Sequence, residues 1–267
     1  KDMCVGVLSN LTELKDEQIP LLKEANLSIV QVSLYSMDPE IHDRITLRKG
    51  SHAKTKAAIE KLVAADIPVQ ISCPIMKANK EGYDKVLAYA QSLKVKAQTD
   101  FIMMAQADLN TQNLANRIDL QETEQVIRDI IEHDVNYRER TLKMAPLSSK
   151  EPEVFANEPF CGAGVNSCCI TSNGDVYPCA GWQEYTVGNV YQLSLSDIWK
   201  KSDKLHYLRG LKQKDLPQCM ACEARDYCAP CLVRNYNENG GDMLKVTKHF
   251  CDVAFLNKRL KEEYFGK

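Results

Sequence analysis

The residues with the most chemistry in this chain of 267 amino acids are its thiols. There are eleven: Cys4, Cys73, Cys161, Cys168, Cys169, Cys179, Cys219, Cys222, Cys228, Cys231 and Cys251, and nine of them follow residue 160. The nine form three groups. Cys161 is followed by the adjacent Cys168 and Cys169, then by Gly174-Asp175-Val176-Tyr177-Pro178-Cys179. Cys219-x2-Cys222-x5-Cys228-x2-Cys231 is a compact run, and Cys251 stands alone at the start of a helix predicted over 252–264. Thiolates are the ligands preferred by soft transition metals and by iron–sulfur clusters. A secreted disulfide scaffold would spread its cysteines through a short chain. A cysteine-poor first half followed by a dense cluster points instead to metal ligation in a reducing compartment, and hence to a cytoplasmic protein.

Asn173-Gly174 is a hairpin signal. A hairpin there joins Cys168–Thr171 to Val176–Pro178 and returns Cys179 towards Cys161. Neighbours on a strand point to opposite faces, so of Cys168 and Cys169 only one is expected to face a given site, with Cys168 preferred. The two Cys-x2-Cys pairs, Cys219/Cys222 and Cys228/Cys231, also suit a structural zinc ion. That alternative leaves Cys161, Cys168, Cys179 and Cys251 without a shared purpose. Cys4 and Cys73 lie far from the rest on predicted strands and read as core residues.

The elements that must position these thiols begin with a repeated strand–helix pattern. Strands are predicted over Met3–Leu8, Ile29–Tyr35, Ile67–Met76 and Asp100–Ala105. Helices are predicted over Asp16–Ala25, His52–Ala65, Glu81–Leu93 and Leu120–His133, from apolar residues at three- and four-residue spacing. Four alternating pairs argue for a parallel sheet, open or closed into a barrel. In barrels chemistry gathers at the C-terminal strand ends. Here those ends carry Ser9 and Asn10, Ser33 to Asp38, Pro74 to Asn79, and Ala105 to Asn110, although turns favour the same polar residues. Residues 1–134 form one expected domain, 135–160 a charged and proline-rich linker, and 161–267 a cysteine-rich domain. Trp182, Trp199 and Tyr185 in that last domain either line a peptide groove or pack in its core, and core is the commoner fate.

Bulk properties narrow the class. The apolar content of 44% is that of a globular protein. A net charge of −2 gives no reason to expect nucleic acid as a partner. No apolar run approaches the roughly 20 residues of a membrane span. The chain opens on Lys1 and enters an apolar run at once, so it reads as a fragment or a processed chain.

Taken together, Cys161-x12-Gly174-x4-Cys179, Cys219-x2-Cys222-x5-Cys228, Cys231 and Cys251 resemble the SPASM motif, the C-terminal extension of many radical S-adenosylmethionine (SAM) enzymes. The family has three residues between the last pair of the central run, where this chain has only Ala229 and Pro230. Val32-Ser33-Leu34-Tyr35-Ser36, His42-Asp43, Thr46 and Gly50-Ser51 are similar to a middle strand–helix unit of the radical SAM barrel. Leu8-Ser9-Asn10 stands where the family has a Thr-Asn-Gly strand end. The resemblance implies an α/β fold: the C-terminal four units of a partial (β/α)6 radical SAM barrel, followed by a small α+β cysteine-rich SPASM domain.

The same resemblance implies the site and its chemistry. One auxiliary [4Fe–4S] cluster would be held by Cys161, Cys168 (or Cys169), Cys179 and Cys231, and a second by Cys219, Cys222, Cys228 and Cys251. Zinc is a substitute that could replace lost iron. Ser33 matches a position that contacts SAM, and Asn10 borders the same pocket. The implied reaction is abstraction of hydrogen by a 5′-deoxyadenosyl radical from a ribosomally made peptide or protein, with a flavodoxin or ferredoxin as reductant. A sulfatase-maturing, formylglycine-forming activity is the nearest alternative, and a non-catalytic zinc-stabilised binding module is the alternative from another class. The family's Cys-x3-Cys-x2-Cys loop and Gly-Gly-Glu strand end are missing here, so this chain alone is expected to be inactive. An unpaired strand edge at Met3–Leu8 would invite dimerisation.

Overall fold

A computed structural model describes residues 3–133, 137–139 and 150–266. Positions 135, 136 and 140–149 of the expected linker lie outside the described residues. The chain divides into two compact units: residues up to Met103 with Asn116–Ile118, and Met104–Ala115 with everything from Asp119 onward.

The first unit is a four-stranded parallel sheet in the order β1 (Gly6–Ser9), β2 (Ile29–Ser33), β3 (Val69–Pro74), β4 (Lys96–Asp100). Helices α1 (Gln18–Glu24), α2 (Pro39–Thr46), α3 (Ser51–Ala64) and α4 (Tyr83–Ser92) connect the strands. Alternation along the strands sorts the two faces. Val30, Val32 and Leu34 interleave with Ile71, Cys73 and Ile75 beneath Ile59, Leu62 and Val86, all no more than 2% exposed. The opposite parity places Ser33 beside Ser72 and Gln31 beside Gln70. Gln70 Nε2 donates to Gln98 Oε1 at 2.7 Å. The sheet therefore has an apolar face under its helices and a polar face that ends in serines.

Three expectations need correction. The first strand is Gly6–Ser9 rather than Met3–Leu8, and Cys4 is exposed rather than core. The fourth strand is the polar Lys96–Asp100, not the apolar Asp100–Ala105, because β3 fixes its register through Gln70↔Lys96 to Pro74↔Asp100. Helix α2 was not expected. Asp38 caps it, accepting from Glu40 N at 2.8 Å, with Pro39 in its first turn.

The second unit is helical apart from a small antiparallel sheet. Its helices are α5 (Leu120–His133), α6 (Pro152–Ala156), α7 (Leu195–Lys201), α8 (Asp203–Gly210), α9 (Pro217–Met220), α10 (Leu232–Glu238) and α11 (Lys248–Phe265). Strands β5 (Cys169–Ile170), β6 (Asp175–Tyr177) and β7 (Gly188–Asn189) form the sheet. Helix α5 lies in this unit and is tied to the C-terminal α11. Arg128 Nη1 and Nη2 donate to the two oxygens of Glu263 at 2.7 and 2.9 Å, and Tyr264 Oη–H donates to Glu132 at 2.6 Å. Among the described residues no helix is long and apolar enough to cross a membrane.

Candidate metal centre

The hairpin forms as its turn residues require. Cys169 pairs with Tyr177 and Ile170 with Val176, and Gly174 closes the turn at φ +83°. A Cβ on Gly174 would lie 2.5 Å from the ring of Tyr191, so only glycine fits. Upstream, Cys161 starts a tight loop in which the Ala163 N–H points to its sulfur at 3.4 Å. Gly164, at φ +68°, donates to Ser167 O and to Pro178 O, which fastens this loop to the end of the hairpin. Cys179 then begins a turn closed by Trp182 N–H on Cys179 O at 3.0 Å.

The other thiols sit on short helices and turns. Cys219 lies on α9, and Cys222 follows with its N–H on Cys219 O at 3.2 Å. Cys228 follows a 3₁₀ turn over Arg225–Tyr227, Cys231 occupies the N-cap of α10, and Cys251 lies in the first turns of α11 rather than ahead of that helix.

Electrostatic coupling shows which thiols are neighbours. Burial raises the pKa of Cys161, and the charges of Cys231 and Cys179 raise it further against a lowering by the Ala163 N–H. Burial pushes Cys219 up to about 11, followed by the charges of Cys228, Cys251 and Cys222. Cys228 is raised by burial, lowered by Arg234, and raised by Cys251 and Cys222. Cys251 is raised by burial and by Cys222. Two sets emerge: Cys161, Cys179 and Cys231, and Cys219, Cys222, Cys228 and Cys251. Cys231 also borders the pocket formed by Cys219, Cys228 and Cys251. Its charge also acts on Cys161. Cys168 is exposed and coupled to Cys169.

Among the described residues no three of His, Cys, Asp or Glu converge closely enough to hold a single metal ion. Zinc needs its sulfurs about 2.3 Å from one point. A four-iron cluster takes one thiolate on each iron, so its ligands surround a larger body. The second set offers four thiols and the first offers three, with Cys168 and Cys169 close to it in sequence.

Two side chains beside the second set were not expected from the sequence. Arg234 lies over the ring of Phe250, 4.6 Å from its centroid, and both line that pocket. Arg234 supplies positive charge to Cys228, and Phe250 adds an aromatic ring to the pocket lining. The only signal was position, since Arg234 follows Cys231 by one helical turn.

In the first unit the polar strand ends divide by role. Ser33 lies on the polar face beside Ser72, which was overlooked although it alternates with Ile71 and Cys73. Asn10 is exposed, and its Oδ1 accepts from Thr12 N and Oγ1 at 3.2 and 3.1 Å. Asn79 is buried and braces two strand ends, donating to Tyr35 O at 2.7 Å and Pro74 O at 2.9 Å. The residues resembling the barrel unit build the α2–α3 junction. Asp43 accepts from Gly50 N, from Ser51 Oγ at 2.9 Å and from His52 N at 2.9 Å. His42 Nδ1 accepts from Tyr35 N at 3.2 Å. Cys73 is a core thiol, pushed up to about 12 by burial.

Comparison with known proteins agrees with both halves of this picture. Residues 1–104 match the radical SAM superfamily, and residues 161–223 match the SPASM iron–sulfur cluster-binding domain. The chain thus holds, in order, a region similar to the radical SAM superfamily and a region similar to the SPASM domain. These domains imply iron–sulfur clusters and use of SAM. It is 26% identical over 250 residues to the AdoMet-dependent heme synthase of Methanosarcina barkeri, covering 88% of this chain and 71% of that one. It is 28% identical over 245 residues to the antilisterial bacteriocin subtilosin biosynthesis protein AlbA of Bacillus subtilis, covering 88% of this chain and 52% of that one. The PqqA peptide cyclase of Methylocella silvestris is 24% identical over 232 residues, covering 83% and 61%. The chain thus spans about half to seven-tenths of these relatives. Among solved structures, native anSMEcpe with bound AdoMet and Kp18Cys peptide has a TM-score of 0.67 at 15% identity, covering 97% of this chain and 73% of that one. SuiB of Streptococcus suis bound to S-adenosylmethionine has a TM-score of 0.57 at 17% identity, covering 85% and 55%. These last two likenesses establish the fold.

Proposed function

We propose that this chain is the part of a radical SAM enzyme that holds two auxiliary [4Fe–4S] clusters, and that the intact enzyme modifies a ribosomally made peptide or protein. The observation that carries this reading is the division of the thiols. Cys161, Cys179 and Cys231, with Cys168 or Cys169, take one cluster, and Cys219, Cys222, Cys228 and Cys251 take the other. Bound there, the clusters supply one-electron exchange at thiolate-ligated iron. The chain's own residues do the rest. Arg234 favours the thiolate form of Cys228, and Phe250 stacks beneath Arg234 at the edge of that set. Ser33 and Ser72 offer hydroxyls on the polar face of the sheet for the cofactor or the substrate. Asn10 takes part through its strand-end turn, since its side-chain oxygen is already engaged by Thr12.

Peptide substrates are supported by the relatives named as a bacteriocin biosynthesis protein and a peptide cyclase. Cross-linking of a peptide therefore stands ahead of oxidation of Cys or Ser to formylglycine. A tetrapyrrole substrate is the second reading, supported by heme synthases at 22–26% identity. The domain limits proposed from the sequence are 1–134, 135–160 and 161–267, with α5 ending the first stretch of chain while belonging to the second compact unit. The 267 residues contain no Cys-x3-Cys-x2-Cys run, so this chain alone should not cleave SAM. A flavodoxin or ferredoxin is the proposed reductant.

The test is metal and acid-labile sulfide content after anaerobic reconstitution. About eight iron and eight sulfide per chain are expected for two cubanes. About one zinc without sulfide would overturn the redox role in favour of a zinc-stabilised module.

A further inference from the structure

Trp182 is fully buried, and its one polar atom, Nε1, has no hydrogen-bond partner. A buried indole N–H ordinarily finds an acceptor, and an orphaned one calls for an explanation such as an absent bound group. Other buried polar groups of this unit differ in kind. Asn113, Arg209 and Asn237 each leave one atom unpaired but bond through others, Asn113 to Met104 O, Arg209 to Gly164 O and Trp199 O, and Asn237 to Gly181 O.

The surroundings of the indole indicate the acceptor. Trp182 and Cys161 line the same small cavity, together with Phe160 and Leu208. Cys179 and Cys231 pack against the apolar cluster that contains Trp182. Cys161 thus shares a cavity with the ring, and Cys179 and Cys231 touch the apolar cluster to which the ring belongs. The ring is also held in place. It stacks on Tyr185 with centroids 4.7 Å apart and meets Tyr236 edge-on at 5.6 Å. Its backbone N–H is fixed to Cys179 O. A donor this constrained is preorganised for one acceptor.

We propose that Trp182 Nε1–H donates a hydrogen bond to a sulfur of the cluster held by Cys161, Cys179 and Cys231, and so raises that cluster's midpoint potential. The inference rests on the two-cluster reading above. Its physical basis is that a donor to a cluster sulfur stabilises the reduced form, which carries one more negative charge, and hydrogen bonds to sulfur are among the determinants of cluster potential. Trp182 is a positioning and tuning residue on this view.

The experiment compares the reconstituted chain with Trp182→Phe and with a site-specific isostere of Trp182 in which sulfur replaces the indole N–H. The isostere keeps the ring's shape should the smaller phenylalanine disturb folding. Iron and sulfide are measured first, then both clusters are titrated by EPR-monitored reduction. The expected result is unchanged metal content, one reduction wave shifted to lower potential, the other wave unmoved, and loss of one exchangeable-proton coupling in the electron–nuclear double resonance spectrum of the shifted cluster. Two unmoved waves with the coupling retained in the isostere would overturn the inference and leave the two-cluster reading intact. A wild-type chain that takes up neither iron nor sulfide would overturn that reading, and this inference with it.

Discussion

In the first unit Val30, Val32, Leu34, Ile71 and Cys73 expose no surface at all, and the four strands satisfy one another's backbones in a continuous parallel ladder. In the second unit the strands are two or three residues long, and between Cys161 and Cys251 the chain is held by turns, short helices and two modest apolar clusters. The first unit's one interior thiol, Cys73, is inert. In the second unit burial, and the charges of neighbouring thiols after it, raise the pKa of Cys161, Cys219, Cys228 and Cys251. One region is fastened by apolar burial and a hydrogen-bonded sheet. The other has little sheet and small apolar clusters, so under the proposed two-cluster reading its folding should be coupled to metal binding.

The largest effect should come from breaking the thiol sets. Cys161→Ala with Cys231→Ala should lower iron from about eight to about four per chain, and Cys219→Ala with Cys251→Ala should remove the other four. Amide hydrogen exchange on the same proteins should show protection lost between residues 161 and 251 and retained in β2 and β3. The grouping would be broken if Cys231→Ala abolished the same cluster signal as Cys228→Ala, its neighbour in sequence.

The contrast sharpens from the other side with Leu34→Ala. Leu34 is fully buried, and truncation of a buried leucine costs about 3 kcal/mol. Denaturant unfolding followed in the first unit should report that loss, while iron content stays at its wild-type value. A parallel fall in iron would mean that the cysteine region depends on the sheet.

These differences also govern what could be read from sequence. The parallel sheet announced itself through Val30-Gln31-Val32-Ser33-Leu34 and Val69-Gln70-Ile71-Ser72-Cys73, where period-two alternation and burial agree. Helix α5 was predicted at its observed ends. Strand β4 was missed because Lys96-Ala97-Gln98-Thr99-Asp100 is a polar edge whose place is set by pairing with β3, and the apolar Phe101–Ala105 outbid it on composition alone. Helix α2 was missed although Asp38-Pro39-Glu40 is a sound start signal, because the loop's polar residues had been assigned to strand-end chemistry. In the cysteine region the hairpin was legible from Asn173-Gly174. The grouping of Cys231 with Cys161, 70 positions apart, has no local signature and came only through resemblance. Trp182 was expected to be core. Its unpaired N–H depends on three-dimensional packing and left no trace in the sequence.

Acid should separate the units next. His42 is 1% exposed, and its pKa is lowered to about 4, by burial first and by the charge of His52 second, against the opposing pull of Asp43. His52 is lowered as well, chiefly by burial. Both rings fold neutral, so as pH falls below about 6.5 the unfolded chain binds protons that the folded chain does not. Stability contributed by the neutral rings is fully present above pH 6.5 and is lost between pH 6.5 and 4. The expected loss is on the order of 2 kcal/mol. Denaturant midpoints measured for the first unit at pH 7 and pH 5 should show it, and His42→Asn should flatten the dependence while lowering stability at pH 7. An unchanged slope in that variant would mean that other groups drive the acid loss.

The smallest effect bears on how each region starts a helix. Asp38 at the N-cap of α2 accepts from Glu40 N at 2.8 Å, whereas the N-cap of α10 is Cys231, whose side chain makes no capping bond. Replacing an N-cap aspartate by alanine leaves helix-end N–H groups unpaired and costs about 1 kcal/mol. Asp38→Ala should therefore lower the first unit's stability by about that amount in both the metal-free and the loaded chain. Cys231→Ala should behave in the opposite way. With no cap to lose, it should leave the metal-free chain nearly unchanged in thermal unfolding, and it should destabilise the second unit only under conditions where the wild type holds its clusters. If Cys231→Ala weakened the metal-free chain as much as Asp38→Ala does, Cys231 would owe its position to packing rather than to ligation.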